Sequence, residues 1–377
     1  MIRPVIFFFS FILHLVFYAQ DVGNPSVKLF FIGDIMGHGP QIKAAYNSQT
    51  GTYQYDSNFQ YVHSLFSEAD FVIGNLEVTL GTKPYTGYPQ FSSPVALAKA
   101  AKNSGINVLC TANNHSCDRR KKGILKTIAV LDSLAIKHTG TFVNKVEKER
   151  QTPLILEQHS IRIAVLNYTY GTNGIPVPAG TVVNILDKKN VLQDIVKAKS
   201  SGVDAIIAFV HWGQQYKDLP VAFQKKWFQF FKEQGVNIVI GSHPHVVEPM
   251  EWNKQEPSLV VYSLGNFISN QRTFPRDGAV IFELELTKES GKTRITKARY
   301  MATWVYKAIY QNAVDYQVLP IDVFQYYPGF FNRHADYEQM MRYYKYQQKL
   351  LQKNNLQVDE YMFFTEALQQ IFTSLYF

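Results

Sequence analysis

Eight residues that carry metal-binding or proton-transferring atoms each follow a short apolar run: Asp34, Asn75, Glu77, Asn114, His115, His211, His243 and His245. The stretch from Thr111 to Asp118 is the centre of the pattern. Asn113, Asn114 and His115 follow the apolar residues 106–110 and precede residues 123–134, whose apolar positions recur at helical spacing. An amide oxygen is a neutral ligand, and an imidazole is either a ligand or a proton donor. An Asn-Asn-His turn by itself serves equally as a helix cap, and Asp34 as a loop carboxylate. What favours chemistry is that four other predicted strands also end in such residues. Mixed carboxylate, amide and imidazole donors suit Mn, Fe or Zn better than Mg or Ca. His243 and His245 flank Pro244, so their imidazoles can face two ions, or one ion from two sides. In two-metal sites the ions lie roughly 3.5–4 Å apart and polarise a phosphoryl or carbonyl oxygen.

The elements that must position these residues alternate. Apolar runs at 27–32, 71–73, 106–110, 161–166, 205–210, 237–240 and 258–262 read as core strands. Helical spacing occupies 59–69, 94–104, 123–134, 187–200 and 220–234. This order predicts α/β organisation with a site along one sheet edge, at the strand ends. Residues 280–286 alternate like an antiparallel strand. Gly291-Lys292-Thr293 after them is a hairpin turn and not a phosphate loop, because the glycine required five residues upstream is Leu286. Residues 171–180, with their glycines and prolines, form a loop placed to overhang the site. The chain from Tyr337 onward reads as helical, its aromatic residues serving packing.

Hydrophobic residues at 46% and charged ones at 18% describe a folded chain, long enough at 377 residues for one large domain or two. A net charge of +8 fits an acidic partner, such as a polyanion or anionic membrane surface, and equally fits plain solubility. No dense Lys/Arg block is interleaved with aromatics, so no nucleic-acid partner is expected. Without a phosphate loop, an ATP-driven cytoplasmic ligase is disfavoured. Arg3 precedes an apolar stretch, 5–19, broken only by Ser10 and His14. That is shorter than the ~20 residues of a membrane span and fits an export signal, cleaved near Ala19 or Gln20 or kept as an anchor. No cysteine follows it to take a lipid. Cys110 and Cys117 flank the Asn-Asn-His turn and are expected as free thiols, since burial is the usual fate of a lone cysteine.

Six motifs in order resemble the signature of the CapA family of poly-γ-glutamate capsule synthesis proteins, with a calcineurin-like metallophosphoesterase fold. They are Gly33-Asp-Ile-Met36, Gly74-Asn-Leu-Glu77, Ala112-Asn-Asn-His115 with Asp118, Val210-His-Trp-Gly213, Gly241-Ser-His-Pro-His245 and Tyr262-Ser-Leu-Gly-Asn-Phe267. The resemblance covers about residues 27–285. It implies a two-sheet α/β sandwich flanked by helices, with a signal or anchor at 1–20, the domain at 27–300 and a mostly helical C-terminal extension at 301–377. It implies one or two divalent transition metal ions, held by Asp34, Asn75, Glu77, Asn114, His211, His243 and His245. Asn75 stands where the wider superfamily has a bridging Asp. His115 takes the place of the proton-donating histidine, with Asp118 as its orienting partner. Asn266 and Trp212, within the same motifs, are expected to contact substrate.

Two departures stand out. Met36 occupies a place where many relatives have histidine, with His38 at the wrong offset for a simple swap, and Gln215 stands where glutamate is expected. The resemblance implies an extracytoplasmic, secreted or periplasmic hydrolase or transferase of capsule or envelope polymers, with membrane-bound capsule synthesis proteins as further partners. Its rivals are a non-catalytic polymer-handling subunit on the same fold, and a phosphoesterase acting on nucleotides or lipid-linked phosphates.

Overall fold

The computed structural model describes residues 24–310 and 313–362; the expected export signal at 1–20 lies outside them. The chain first lays down four parallel neighbours: β1 (Ser26–Ile35), β2 (Phe71–Leu76), β3 (Val108–Cys110) and β4 (Lys137–Thr139). It then leaves to build a second sheet. That sheet contains β5 (Leu154–Gln158), β6 (Ile161–Thr169), β7 (Ala205–His211), β8 (Ile238–Ser242), β9 (Met250–Asn253) and β10 (Ser258–Val261). Its spatial order is β5-β6-β7-β8-β10-β9, parallel at the centre with an antiparallel strand at each edge. Finally β11 (Gly278–Glu289), β12 (Lys292–Ile309) and β13 (Val314–Pro320) return to the first sheet, where β11 runs antiparallel beside β1. The turn between β11 and β12 holds Ser290 at φ 50° and Gly291 at φ 77°, the left-handed pair that a tight hairpin requires.

The pleat sorts the side chains into layers. Leu29 and Phe31 of β1 join Ile163, Phe209, Ile240 and Phe282 in a core between the sheets, with Phe31 and Phe209 ring centroids 6.4 Å apart. Their neighbours Phe30 and Ile32 face the other way, into a core shared with Leu97 and Ala101 of α1 (Val95–Asn103) and Leu131 of α2 (Arg120–Ser133). On the far side, Ala208, Val210 and Val239 meet Val191 and Ile195 of α3 (Lys188–Ser200) and Trp227 and Phe231 of α4 (Ala222–Glu233). The result is the expected two-sheet sandwich flanked by helices. Each large apolar side chain so buried contributes about 1.5–3 kcal/mol.

The expected boundary at residue 300 falls inside a strand and is corrected. β12 and β13 carry the first sheet on to Pro320, because Thr303-Trp-Val-Tyr306 is an aromatic and β-branched run that pairs with β13 and fills the outer core. The helical part begins later, chiefly as α5 (His334–Asn354), whose Met340, Tyr343 and Tyr344 pack on that core. The helix expected over 59–69 is a 3₁₀ turn, Asp56–Phe59, and a short helix, His63–Phe66; Phe59, Val62, Leu65 and Phe66 keep their buried face. Cys110 and Cys117 are free thiols, as expected. No helix among the described residues is long and apolar enough to cross a membrane.

One buried acid sets a pH dependence. Glu248, fully buried, accepts a hydrogen bond from Gln224 Nε2 at 2.5 Å, and burial pushes its carboxyl up from 4.5 to about 8. Between those values the folded chain holds a proton that the unfolded chain has released, so stability from this group falls as pH rises through that window. Glu248→Gln should therefore flatten the loss of melting temperature between pH 5 and pH 8, read by thermal denaturation. An unchanged pH profile would remove Glu248 as its cause.

Candidate metal centre

The carboxyl ends of β1, β2, β3, β7 and β8 meet at one edge of the sandwich, and the polar motifs lie there. The close fit depends on Gly33. A Cβ there would sit 1.9 Å from Gly265 O, whereas glycine lets the Asp34 N–H donate to that carbonyl at 3.0 Å. Segment 263–269 thus stitches the second sheet to β1, with a second bond from Met36 N–H to Ile268 O. After β8 the chain turns so sharply that His243 (φ 104°) and His245 (φ 59°) both take left-handed conformations. Such residues cost of order 1–3 kcal/mol each and persist where their surroundings hold them.

What they gain is convergence. Asp34, Glu77 and His245 form one buried group with ligand atoms within 4.8 Å of one another, and Glu77, His211 and His243 form a second. Glu77 is common to both: its Oε1 lies 3.7 Å from His211 Nε2 and 3.7 Å from His245 Nε2. That oxygen is buried and has no hydrogen-bond partner. Asp34 Oδ2 is 3.0 Å from His245 Nδ1, and His211 Nε2 is 3.1 Å from His243 Nδ1 and 3.0 Å from Asn114 Oδ1. Burial, reinforced by Asp34, holds the Glu77 carboxyl well above the usual carboxylate range. Burial and the neighbouring imidazoles hold His211 and His243 well below the usual histidine value. A buried, unpartnered carboxylate oxygen among imidazole nitrogens is costly unless paired, and a divalent cation pairs it. The donors present fit one or two such ions.

The expected ligands do not all play one part. Asn75 turns its Nδ2 to Asp34 Oδ1 (2.8 Å), Glu77 Oε2 (3.3 Å) and His211 Nδ1 (3.2 Å), while its Oδ1 accepts from Asn113 Nδ2. It therefore turns its nitrogen toward the two carboxylates and the imidazole, and Glu77 is the carboxylate common to both groups. Asn114 presents its Oδ1 to the His211 group and donates from Nδ2 to Asn173 Oδ1 (3.3 Å), so loop 171–180 does overhang the site. His115 sits beside this centre, its Nδ1 2.7 Å from Asp118 Oδ2, and the same oxygen accepts the Phe91 N–H at 2.6 Å.

Trp212 and Asn266, expected at the substrate, are corrected. The pleat that points His211 into the site points Trp212 away, where it is fully buried on the helix side and donates from Nε1 to Tyr262 O. Asn266 spends its polar atoms on the protein: Oδ1 lies 3.1 Å from His245 Nδ1, and Nδ2 donates to His245 O and Arg276 O. Met36 is buried in the outer core, and Gln215 is half-buried in the loop after β7. His38 joins neither ligand group; burial pushes it down to about 4, and its Nδ1 accepts from the Asn270 N–H. Sequence reasoning left out Ser242, 3.0 Å from His211 Nδ1, and Phe91, whose ring meets His115 edge-on at 4.6 Å. It also left out Tyr170, 4.6 Å from His243 between ring centroids, although that residue stands one position beyond a strand end.

A sandwich of this kind, with a buried carboxylate–imidazole cluster at its strand ends, defines an α/β protein with donor groups able to hold a metal ion. The chain belongs to the family described as bacterial capsule synthesis protein PGA_cap, whose profile matches residues 28–271, and this is the family its motifs resemble. It is 27% identical over 270 residues to "Capsule biosynthesis protein CapA" of Bacillus anthracis, covering 68% of this chain and 64% of that one. It is 28% identical over 277 residues to "PGA biosynthesis protein CapA" of Bacillus subtilis (strain 168), covering 70% and 68%. Among solved structures it is similar to the calcineurin-like phosphoesterase YfkN from Bacillus subtilis, at 12% identity and TM-score 0.44, covering 88% of this chain and 99% of that one. It is also similar to the NAD nucleotidase NadN of Haemophilus influenzae, at 11% identity and TM-score 0.47, covering 93% and 66%.

Proposed function

We propose that the protein is a metal-dependent hydrolase or transferase that works outside the cytoplasmic membrane in the synthesis or turnover of a capsule polymer, with poly-γ-glutamate as the favoured polymer. The observation that carries this reading is a buried His115–Asp118 pair set beside two ligand groups that share Glu77. Divalent Mn, Fe or Zn held by Asp34, Glu77, His211, His243 and His245, with Asn114 as a neutral donor, would supply Lewis acidity toward a carbonyl or phosphoryl oxygen.

The chain's own residues supply the rest. Asp118 accepts a hydrogen bond from the Nδ1–H of His115, which fixes the ring; in the imidazolium form the Nε2–H is then the proton passed to a leaving group, and the ring is left neutral with Nδ1–H still on Asp118. The Phe91 N–H locks the Asp118 carboxylate, and its ring shields one side of the imidazole from water. Tyr170 covers His243 in the same way. The purified full chain, loaded with Mn, Fe or Zn, should cleave γ-glutamyl oligomers or aryl phosphoesters, and the faster class identifies the bond. Turnover of neither would favour the polymer-handling reading. Placement outside the membrane rests on the N-terminal pattern, and a C-terminal reporter active only in the cytoplasm would overturn it.

A further inference from the structure

Beside the His245 side of the centre, Tyr216 is held in a conformation an aromatic residue rarely adopts. Its φ is 67°, its N–H donates to Pro244 O at 2.8 Å, and its ring lies 6.0 Å from that of His245. The guanidinium of Arg276 stacks on that ring, 3.4 Å from its centroid. Arg276 is tied down from behind as well: its carbonyl accepts from Asn266 Nδ2 at 2.8 Å, and Asn266 Oδ1 lies 3.1 Å from His245 Nδ1. Among the described residues, no side chain forms an ion pair or hydrogen bond with the Arg276 guanidinium. Tyr216 remains 42% exposed and Arg276 half-buried, so the stack is open to a ligand.

A stack built only for stability would not need a strained backbone beside a ligand histidine. A guanidinium fixed flat on an aromatic ring keeps its planar fork of N–H donors oriented, and that fork matches the two oxygens of a carboxylate or phosphate. We propose that Arg276, stacked on Tyr216, receives an oxyanion of the substrate and so sets the register of the substrate against the centre. On the polymer reading above, on which this assignment of the oxyanion rests, it is the free carboxylate of a γ-linked glutamyl residue; a phosphate offers the same chemistry.

Calorimetric titration of the metal-loaded full chain with γ-linked pentaglutamate, and separately with inorganic phosphate, tests this. Arg276→Ala should weaken pentaglutamate binding roughly 10- to 100-fold, the scale of a two-pronged charge-assisted contact. Arg276→Lys should recover only part of the loss, because it keeps the charge without the fork. Metal content should stay at the wild-type level in both. Arg294→Ala, which removes an exposed charge paired with Glu289, controls for net charge and should bind as wild type. Equal binding by wild type and Arg276→Ala, or an equal loss in Arg294→Ala, would overturn the assignment and leave the polymer reading standing. Binding of phosphate alone, lost in Arg276→Ala, would uphold the oxyanion site and overturn the polymer. Wild-type protein that binds neither probe would overturn both.

Discussion

Glu77→Gln should abolish metal binding at both ligand groups, where His243→Ala abolishes it at one. The reason is geometric: the Glu77 carboxylate belongs to both ligand groups, with Oε1 equidistant from His211 Nε2 and His245 Nε2, whereas His243 belongs to one. An amide of the same shape keeps the packing but loses the charge that offsets a cation. Affinity should fall by more than the 10- to 100-fold typical of residues that merely orient ligands. Metal content by mass spectrometry reads the first effect. Thermal denaturation reads a second: saturating metal should raise the melting temperature of wild type, at ~2.7 kcal/mol for a concentration 100 times Kd, and leave Glu77→Gln unmoved. Metal-free Glu77→Gln should melt no lower than metal-free wild type, because it replaces a buried carboxyl crowded by Asp34 with a neutral group. Wild-type metal content retained by the variant would sink the shared-ligand assignment.

His115→Asn should fail in the opposite way. A proton donor can be removed without emptying the centre, so metal content and melting temperature should stay near wild type. Turnover should fall by roughly 100- to 10,000-fold, the usual contribution of a positioned acid. Asp118→Asn should produce a smaller loss, since it disturbs the ring's tautomer and orientation but leaves the imidazole in place. If His115→Asn restored a deletion strain's capsule in full, catalysis by this residue would be excluded, and the polymer-handling role would take its place.

The strands were legible because apolar runs survive in any context, and the site was legible because its ligands stand at the ends of those runs. The limits came where polar residues are buried. β6 was expected to stop at 166 but runs to Thr169, because Asn167 is satisfied inside: its Oδ1 accepts the Ala112 N–H at 2.7 Å and its Nδ2 donates to Phe209 O. The pattern could not divide labour between Asn75 and Glu77 either, since that depends on which amide atom faces the carboxylates. Trp212 could have been placed correctly from the pleat alone, as the neighbour of a ligand on a strand points to the opposite face. Tyr216 left no sequence signal, because its left-handed backbone conformation is imposed only by the folded loop.

The order in which the chain builds its sheets bears on how the protein comes apart. Asp34 and Glu77 come from the first sheet, His211, His243 and His245 from the second, and β11 closes the first sheet only after the second has been laid down. Neither sheet alone can present either complete ligand group. An ion can therefore be captured only after the layers have docked, late in folding, and must be released before they part. Interactions missing from the transition state slow unfolding and leave the folding rate nearly untouched. A metal bound across these layers would act as a kinetic lock, lengthening the protein's lifetime against proteases by lowering its unfolding rate.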